Sequence, residues 1–421
     1  MRTIRTLVYP LLVLAVSSCH GQPADPTAPD TTTDPKPFQK PQPIEMPGLN
    51  YIGAFRLPTQ TFGESSVNFA QGPIAYDSKR NSLFIVGHAH HQAIAEFPVP
   101  DIRNVEQIDQ LATAGAPLQI FTRILNRVSG GNEQGTNTIG SLRIISVAGE
   151  QKLLVGAFIY YPGYSGATHT HMLIESPYSI ANSPITGFFQ MQGGPGRTSG
   201  WTSPVPPELQ EGLGGTYLAG MSSGWPIISR LSVGPTAFAF NHEDFASDDL
   251  TIPTKTLLNY DLKEEMRLHP DLSNKEGYNT LWTHLSYGVY GFIIPETHTY
   301  LVLGNSGGHT HGVCYKCLQN TGTECAGFCS PDTADYYNFC WIYDVKDLMK
   351  VRRKEVASHT IRPLSYGQIK FPLLDERYYR LGGGCFDPQS RRLFLSVRAG
   401  DNVSRLKGGY DRPPLIVVYQ L

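Results

Sequence analysis

GPIAYDSKRNSLFIVGHAHHQAIAEFPVP, residues 72–100, holds three short apolar runs: Ile74–Tyr76, Leu83–Val86 and Ala93–Phe97. A polar turn, Asp77–Ser82, separates the first two, and Gly87–His91 separates the last two. Short apolar runs bounded by turn residues predict β-strands. The three- and four-residue apolar spacing of a helix is absent. The same design returns at Gly384–Arg398, GCFDPQSRRLFLSVR, and recurrence at a long interval is the mark of a repeat architecture.

Working outward from this stretch, five units of about four strands follow one another from Tyr51. The second unit comprises Leu142–Val147, Lys152–Tyr160, His171–Glu175 and Gly187–Met191. The third comprises Thr216–Met221, Pro226–Leu231, Thr236–Asn241 and Lys255–Tyr260. The fourth comprises Gly288–Ile294, Tyr300–Gly304, Phe339–Asp344 and Ile361–Tyr366. The fifth, Gly383–Asp387, Leu393–Val397 and Leu415–Gln420, lacks a strand, and Tyr51–Pro58 is a spare one. Joining them closes a ring and removes exposed sheet edges. The expected fold is therefore an all-β propeller of five four-stranded blades, closed by its N- and C-terminal strands. A sandwich or a pair of β-domains would call for a second linker, and none interrupts the chain.

Composition agrees with this reading. The 421 residues include 42 Gly and 32 Pro, with 11% aromatic residues, which suits a turn-rich all-β chain. A net charge of -2 offers no basic field for nucleic acid. Residues 1–19 resemble an export signal of the lipoprotein type: Arg2 and Arg5, the apolar run Leu7–Val16, then Val16-Ser-Ser-Cys19. Residues 20–47, with eight prolines, are expected to be an extended spacer, leaving 48–421 as the folded domain. The expected setting is the cell surface or the exterior, with membrane contact only through a lipid on Cys19, and the chain acting as a monomer.

In a propeller, the loops entering first strands share a face with the loops joining second to third strands. That face carries the chemically loaded segments here: 87–92, 161–170, 305–338 and 399–414. Eight of the 13 histidines fall on or near it: His88, His90, His91, His169, His171, His284, His309 and His311. Singly, a loop histidine is most often solvated; as a converging set they point to a site. Tyr160 and Tyr161 follow the second strand of blade two as His88 follows that of blade one. Arg230 and Arg398 are expected at the same place in blades three and five. Asn137, Tyr287 and Arg380 come from loops entering first strands, and His91 lies beside His88. A funnel of His, Tyr, Arg and Asn suits an anionic sugar polymer, because a carboxylate must be neutralised before the proton beside it can leave. A glycosidase would need two carboxylic acids at a set separation, and Glu133, Glu211, Asp375, Glu376 and Asp401 include no evident pair.

Five cysteines follow His309-Thr-His311 in the order Cys314-x2-Cys317-x7-Cys325-x3-Cys329-x10-Cys340. A Cys-x2-Cys knuckle beside histidine has zinc-ligand character, which nominates His309, His311, Cys314, Cys317, Cys325 and Cys329 around a structural zinc. An exported setting favours disulfides instead. Cys340 and Cys385 are expected in neighbouring strands, as a buried pair or one further disulfide.

Gly87-His88, Tyr160-Tyr161, Arg230 and the His309–Cys329 loop together resemble the exported propeller polysaccharide lyases that cleave ulvan, a sulfated uronate polymer. The resemblance is one of arrangement; those lyases have seven blades where this chain reads as five. It implies β-elimination next to a uronate, with His88 and Tyr161 in proton transfer and Arg230 neutralising the carboxylate. A non-catalytic glycan- or protein-binding propeller and a glycoside hydrolase are the other readings.

Overall fold

The computed structural model describes residues 38–160, 167–194, 196–222, 232–374, 380–404 and 411–421. Strand β1 (Asn50–Arg56) opens the domain. Blade one follows as β2 (Ile74–Asp77), β3 (Ser82–Val86), β4 (Ala93–Pro98) and β5 (Gln119–Arg123), hydrogen-bonded in that order. Every residue of β2 and β3 is buried. Blades stack face to face, so both sides of these strands are covered and the runs are continuously apolar rather than alternating. Blade two is β6 (Thr138–Val147), β7 (Glu150–Phe158), β8 (His169–Ile174) and β9 (Ile185–Met191).

Blade three differs from the sequence expectation. Its first strand is β10 (Trp201–Pro204), followed by β11 (Tyr217–Gly220) and β12 (Ala237–Phe240). A two-residue strand, β13 (Thr251–Ile252), runs parallel to β9 as a fifth strand on blade two, and β14 (Lys255–Leu258) completes blade three. The expected first strand near Thr216 is thus the second. The expected strand Pro226–Leu231 lies outside the described residues. The stretch Trp-Thr-Ser-Pro escapes a hydrophobicity reading because three of its four residues are polar or proline, yet Trp201 is 2% exposed. Burying an indole of that size stabilises the blade by about 2–3 kcal/mol.

Blade four is β15 (Tyr287–Ile293) and β16 (Thr299–Gly307), then the insertion hairpin β17 (Cys314–Tyr315) and β18 (Phe328–Cys329), then β19 (Tyr336–Asp344) and β20 (Ser365–Gln368). The last strand starts later than Ile361 because Pro363 has no N–H to give the ladder. Blade five is β21 (Leu381–Asp387), β22 (Arg392–Val397) and β23 (Leu415–Gln420), and β1 adds to its outer edge. β1 runs antiparallel to β23, from Asn50 opposite Gln420 to Arg56 opposite Leu415. The five first strands, β2, β6, β10, β15 and β21, touch one another in sequence, and β21 returns to β2. The fold is a five-bladed β-propeller closed by its terminal strands.

Residues 39–46, expected in the spacer, run along blade four. The N–H of Ile44 donates to Gln368 O at 2.9 Å, the N–H of Gln368 donates to Gln42 O at 3.0 Å, and Met46 is buried. Among the described residues no helix is long and apolar enough to cross a membrane. The signal-like segment lies outside them.

Candidate functional site

Each blade brings one small residue to the axis where its first strand begins: Pro73, Gly140, Gly200, Gly288 and Gly382. They form the floor of a cavity of about 750 Å³, within the usual range for small-molecule sites. The floor tolerates no side chain at the seam of blades one and five. A Cβ on Gly72, whose φ is +115°, would lie 2.3 Å from the carbonyl carbon of Gly382.

His88 stands on this cavity, at the end of β3 as expected. Its backbone N–H donates to Ser65 Oγ at 3.0 Å and Ser66 O at 2.9 Å. Its ring Nδ1 accepts the N–H of His90 at 3.1 Å. That bond occupies the Nδ1 lone pair, so the neutral ring carries its proton on Nε2 and is a donor there. Burial, then the neighbouring His91 and His90, hold its pKa below the ordinary histidine value, which keeps the ring neutral near pH 7.

His90 lines the cavity, whereas His91 stacks behind His88 with centroids 4.6 Å apart and its Nδ1 3.1 Å from Ser65 Oγ. His91 is therefore a brace for His88, not a wall of the cavity. Gln92 ties the loop to blade two by accepting the Ile139 N–H at 2.7 Å.

Asn137, Tyr160, Tyr287 and Arg398 line the same cavity, as the sequence suggested. Asn137 Oδ1 accepts the Tyr160 N–H at 2.9 Å and so fixes the start of the loop after β7. Tyr160 is 49% exposed, while Tyr287 is buried at the floor. The Arg398 N–H donates to Arg380 O at 2.8 Å, but the Arg380 side chain is not part of the wall; it lies in the electrostatic reach of Tyr336. Tyr161 and Arg230 fall outside the described residues. The position that follows the second strand of blade three, as His88 follows that of blade one, belongs to Met221 and Ser222, which follow β11 and line the cavity. Phe69, Gln92, Phe158, Met221 and Ser222 are cavity residues that sequence reasoning missed. A glycine near the start of four of the five first strands was the available signal. Placing Gly200 among them would have located β10, and with it Met221 and Ser222.

Among the described residues, no Asp or Glu lines the cavity. Asp401 is buried and spends its carboxylate on the N–H groups of Val403 and Ser404, both at 3.0 Å. Asp375 and Glu376 lie outside the described residues.

The other histidines do not converge on the cavity. His171 is fully buried, with Nδ1 2.9 Å from Thr170 Oγ1, and burial lowers its pKa to about 4. His309 is also fully buried. Its Nε2 is 2.7 Å from Ser306 Oγ and its Nδ1 2.7 Å from Asn279 O, and burial again lowers its pKa to about 4. With both ring nitrogens engaged, His309 is a core residue and not a metal ligand. His311 turns to Asp332 and Asp335, at 3.6 and 3.8 Å. Asp335 organises this turn by accepting the N–H groups of His309, Thr310 and His311. His284 lies flat on Phe328, centroids 4.0 Å apart.

In the insertion hairpin Cys314 pairs with Cys317, and Cys325 with Cys329, as disulfides. The sulfurs of Cys314, Cys317 and Cys329 lie within 4.8 Å of one another, a cluster that could also hold a metal ion. Cys340 and Cys385 are both buried free thiols, not a disulfide with each other.

No family model matches the chain, and no curated protein matches it in sequence. Solved structures similar to it include the catalytic domain of Coprinopsis cinerea GH62 alpha-L-arabinofuranosidase, at 10% identity and a TM-score of 0.36, covering 88% of this chain and 97% of that one. A structure described under the GH130 family of mannoside phosphorylases and glycoside hydrolases is similar at 9% identity and a TM-score of 0.41, covering 89% and 96%. A luciferin-regenerating enzyme is similar at 9% identity and a TM-score of 0.33, covering 89% and 97%.

Proposed function

We propose that the protein is an exported polysaccharide lyase that cleaves an acidic, uronate-containing polymer of the ulvan type by β-elimination. One observation carries this reading: the described wall of the cavity combines imidazole, phenol and guanidinium groups without a carboxylate. In such an elimination the proton on C5, alpha to the uronate carboxylate, leaves to a base. Its electron pair forms the C4–C5 double bond, the C4–oxygen bond breaks, and the departing oxygen takes up a proton. The reaction needs the carboxylate charge masked and a group that relays the proton. Glycoside hydrolysis needs two carboxyl groups across the bond.

The roles follow from the chemistry of each group. Neutral His88, with its proton on Nε2, acts as a hydrogen-bond donor that masks carboxylate charge rather than as the base. Arg398 shares that task, which the sequence had assigned to Arg230. Proton transfer falls to the Tyr160–Tyr161 pair. Asn137 contacts a sugar hydroxyl. The test is incubation with acidic and neutral polysaccharides, read for both ultraviolet absorbance and reducing ends. A gain in both with a uronate polymer supports elimination; reducing ends without absorbance indicate hydrolysis.

For the insertion hairpin we propose disulfide closure, in keeping with an exported protein. A structural zinc would instead sit on the Cys314, Cys317 and Cys329 thiolates, without His309.

A further inference from the structure

Phe69 has a backbone conformation that its side chain disfavours. Its φ is +53°, in the left-handed region where a bulky residue is an outlier and Gly or Asn is usual. The turn is held from two sides. The Phe69 N–H donates to Arg412 O at 3.2 Å, and its carbonyl accepts the Ala89 N–H at 3.3 Å. Val67 and Ala70 are buried on either side of it. The ring itself does not go into the core. It is 38% exposed, lines the cavity, and meets His88 edge to face with centroids 5.5 Å apart. A strained backbone that presents an apolar ring to a ligand cavity, beside the histidine assigned to the chemistry, is the pattern of a functional position.

We infer that Phe69 is a stacking platform for the apolar C–H face of a sugar ring, and that it holds this ring against His88. The inference rests on the cavity being a glycan site. It adds a residue that determines how the sugar lies, whichever bond is cleaved. Aromatic rings in ligand cavities supply large contact area at low conformational cost. The exposed ring of Tyr160 on the same wall gives the chain a second surface of this kind.

The test is affinity electrophoresis of the whole protein in gels containing ulvan, with arabinan gels as the uncharged arm, alongside thermal melts. Phe69→Gly removes the ring and relieves the backbone, so binding to ulvan is expected to weaken about tenfold while the melting temperature holds or rises. Phe69→Tyr keeps the ring and is expected to bind as the parent does. Equal retardation of the parent and Phe69→Gly, equal losses in both variants, or retardation of the parent in neither gel would overturn the proposal. Ring-dependent retardation without any gain in absorbance would refute the lyase reaction and leave the stacking role standing.

Discussion

The backbone N–H of His90 donates to Nδ1 of His88, so the loop itself sets the tautomer of the ring at the cavity. Replacing His88 with Ala is expected to lower kcat by about 10²–10³-fold, the usual loss when one donor to a developing charge is removed. His88→Gln keeps an N–H and is expected to lose less. Steady-state kinetics on a uronate polymer decide; equal activity in His88→Ala would remove the residue from the mechanism.

The same bond gives a pH signature. Protonating His88 puts a hydrogen on Nδ1 and breaks the contact with His90. Because burial and the two adjacent histidines depress its pKa, the ring is expected to take up that proton only below the ordinary histidine value of 6.5. An NMR titration of the His88 ring tests this, and a midpoint at or above 6.5 would contradict the assignment.

His171 and His309 predict acid sensitivity of the fold. Both are neutral and buried, with pKa values lowered from 6.5 to about 4. The unfolded chain therefore binds two protons that the folded one refuses as pH falls through this window. Stability present above 6.5 is lost progressively toward 4, by roughly 3 kcal/mol for each group at about 1.4 kcal/mol per pH unit. Melting temperatures measured across that range should decline, and His171→Gln should flatten the decline.

Ring closure depends on Gly53. Its φ is +144°, and a Cβ there would lie 2.4 Å from the carbonyl of Arg103. Gly53→Ala is expected to destabilise by more than about 2 kcal/mol, since both the conformation and the space are denied. Denaturant unfolding checks this, with Gly149→Ala as a control: Gly149 also has a positive φ but nothing within 4 Å of its Cβ.

The insertion hairpin predicts a thiol count. Protein isolated from an oxidising compartment should show, among residues 314–385, only Cys340 and Cys385 as thiols, reactive after denaturation because both are buried. Four further thiols together with one equivalent of zinc would replace the disulfides by a metal site on Cys314, Cys317 and Cys329.

Much of the propeller was legible because a blade is a local object. Strands β2 to β4 follow from Ile74, Leu83 and Ala93 and the turns between them, and the spare strand at Tyr51 completes the sheet short of one. Blade three failed where the signal is weakest. Trp201-Thr-Ser-Pro204 has a single large apolar residue, and its place is set by contact with β15 rather than by its own pattern. That one miss moved Arg230 into a position that Met221 and Ser222 hold.

The histidines divide in the same way. His88 and His309 look alike in the sequence, each following a strand and a glycine. Burial separates them: one ring stands on the cavity with its tautomer set by a neighbour, and the other is sealed in blade four with both nitrogens bonded. By itself the sequence determined most of the strands and turns, because those depend on residues within a few positions of one another; the closing of the ring followed from a count, one blade short of a strand and one strand to spare. Only the tertiary structure decided which loop residues meet at the axis and which vanish into the core. Those meetings join residues tens to hundreds of positions apart, such as Phe69 with Arg412, and spacing along the chain does not encode them.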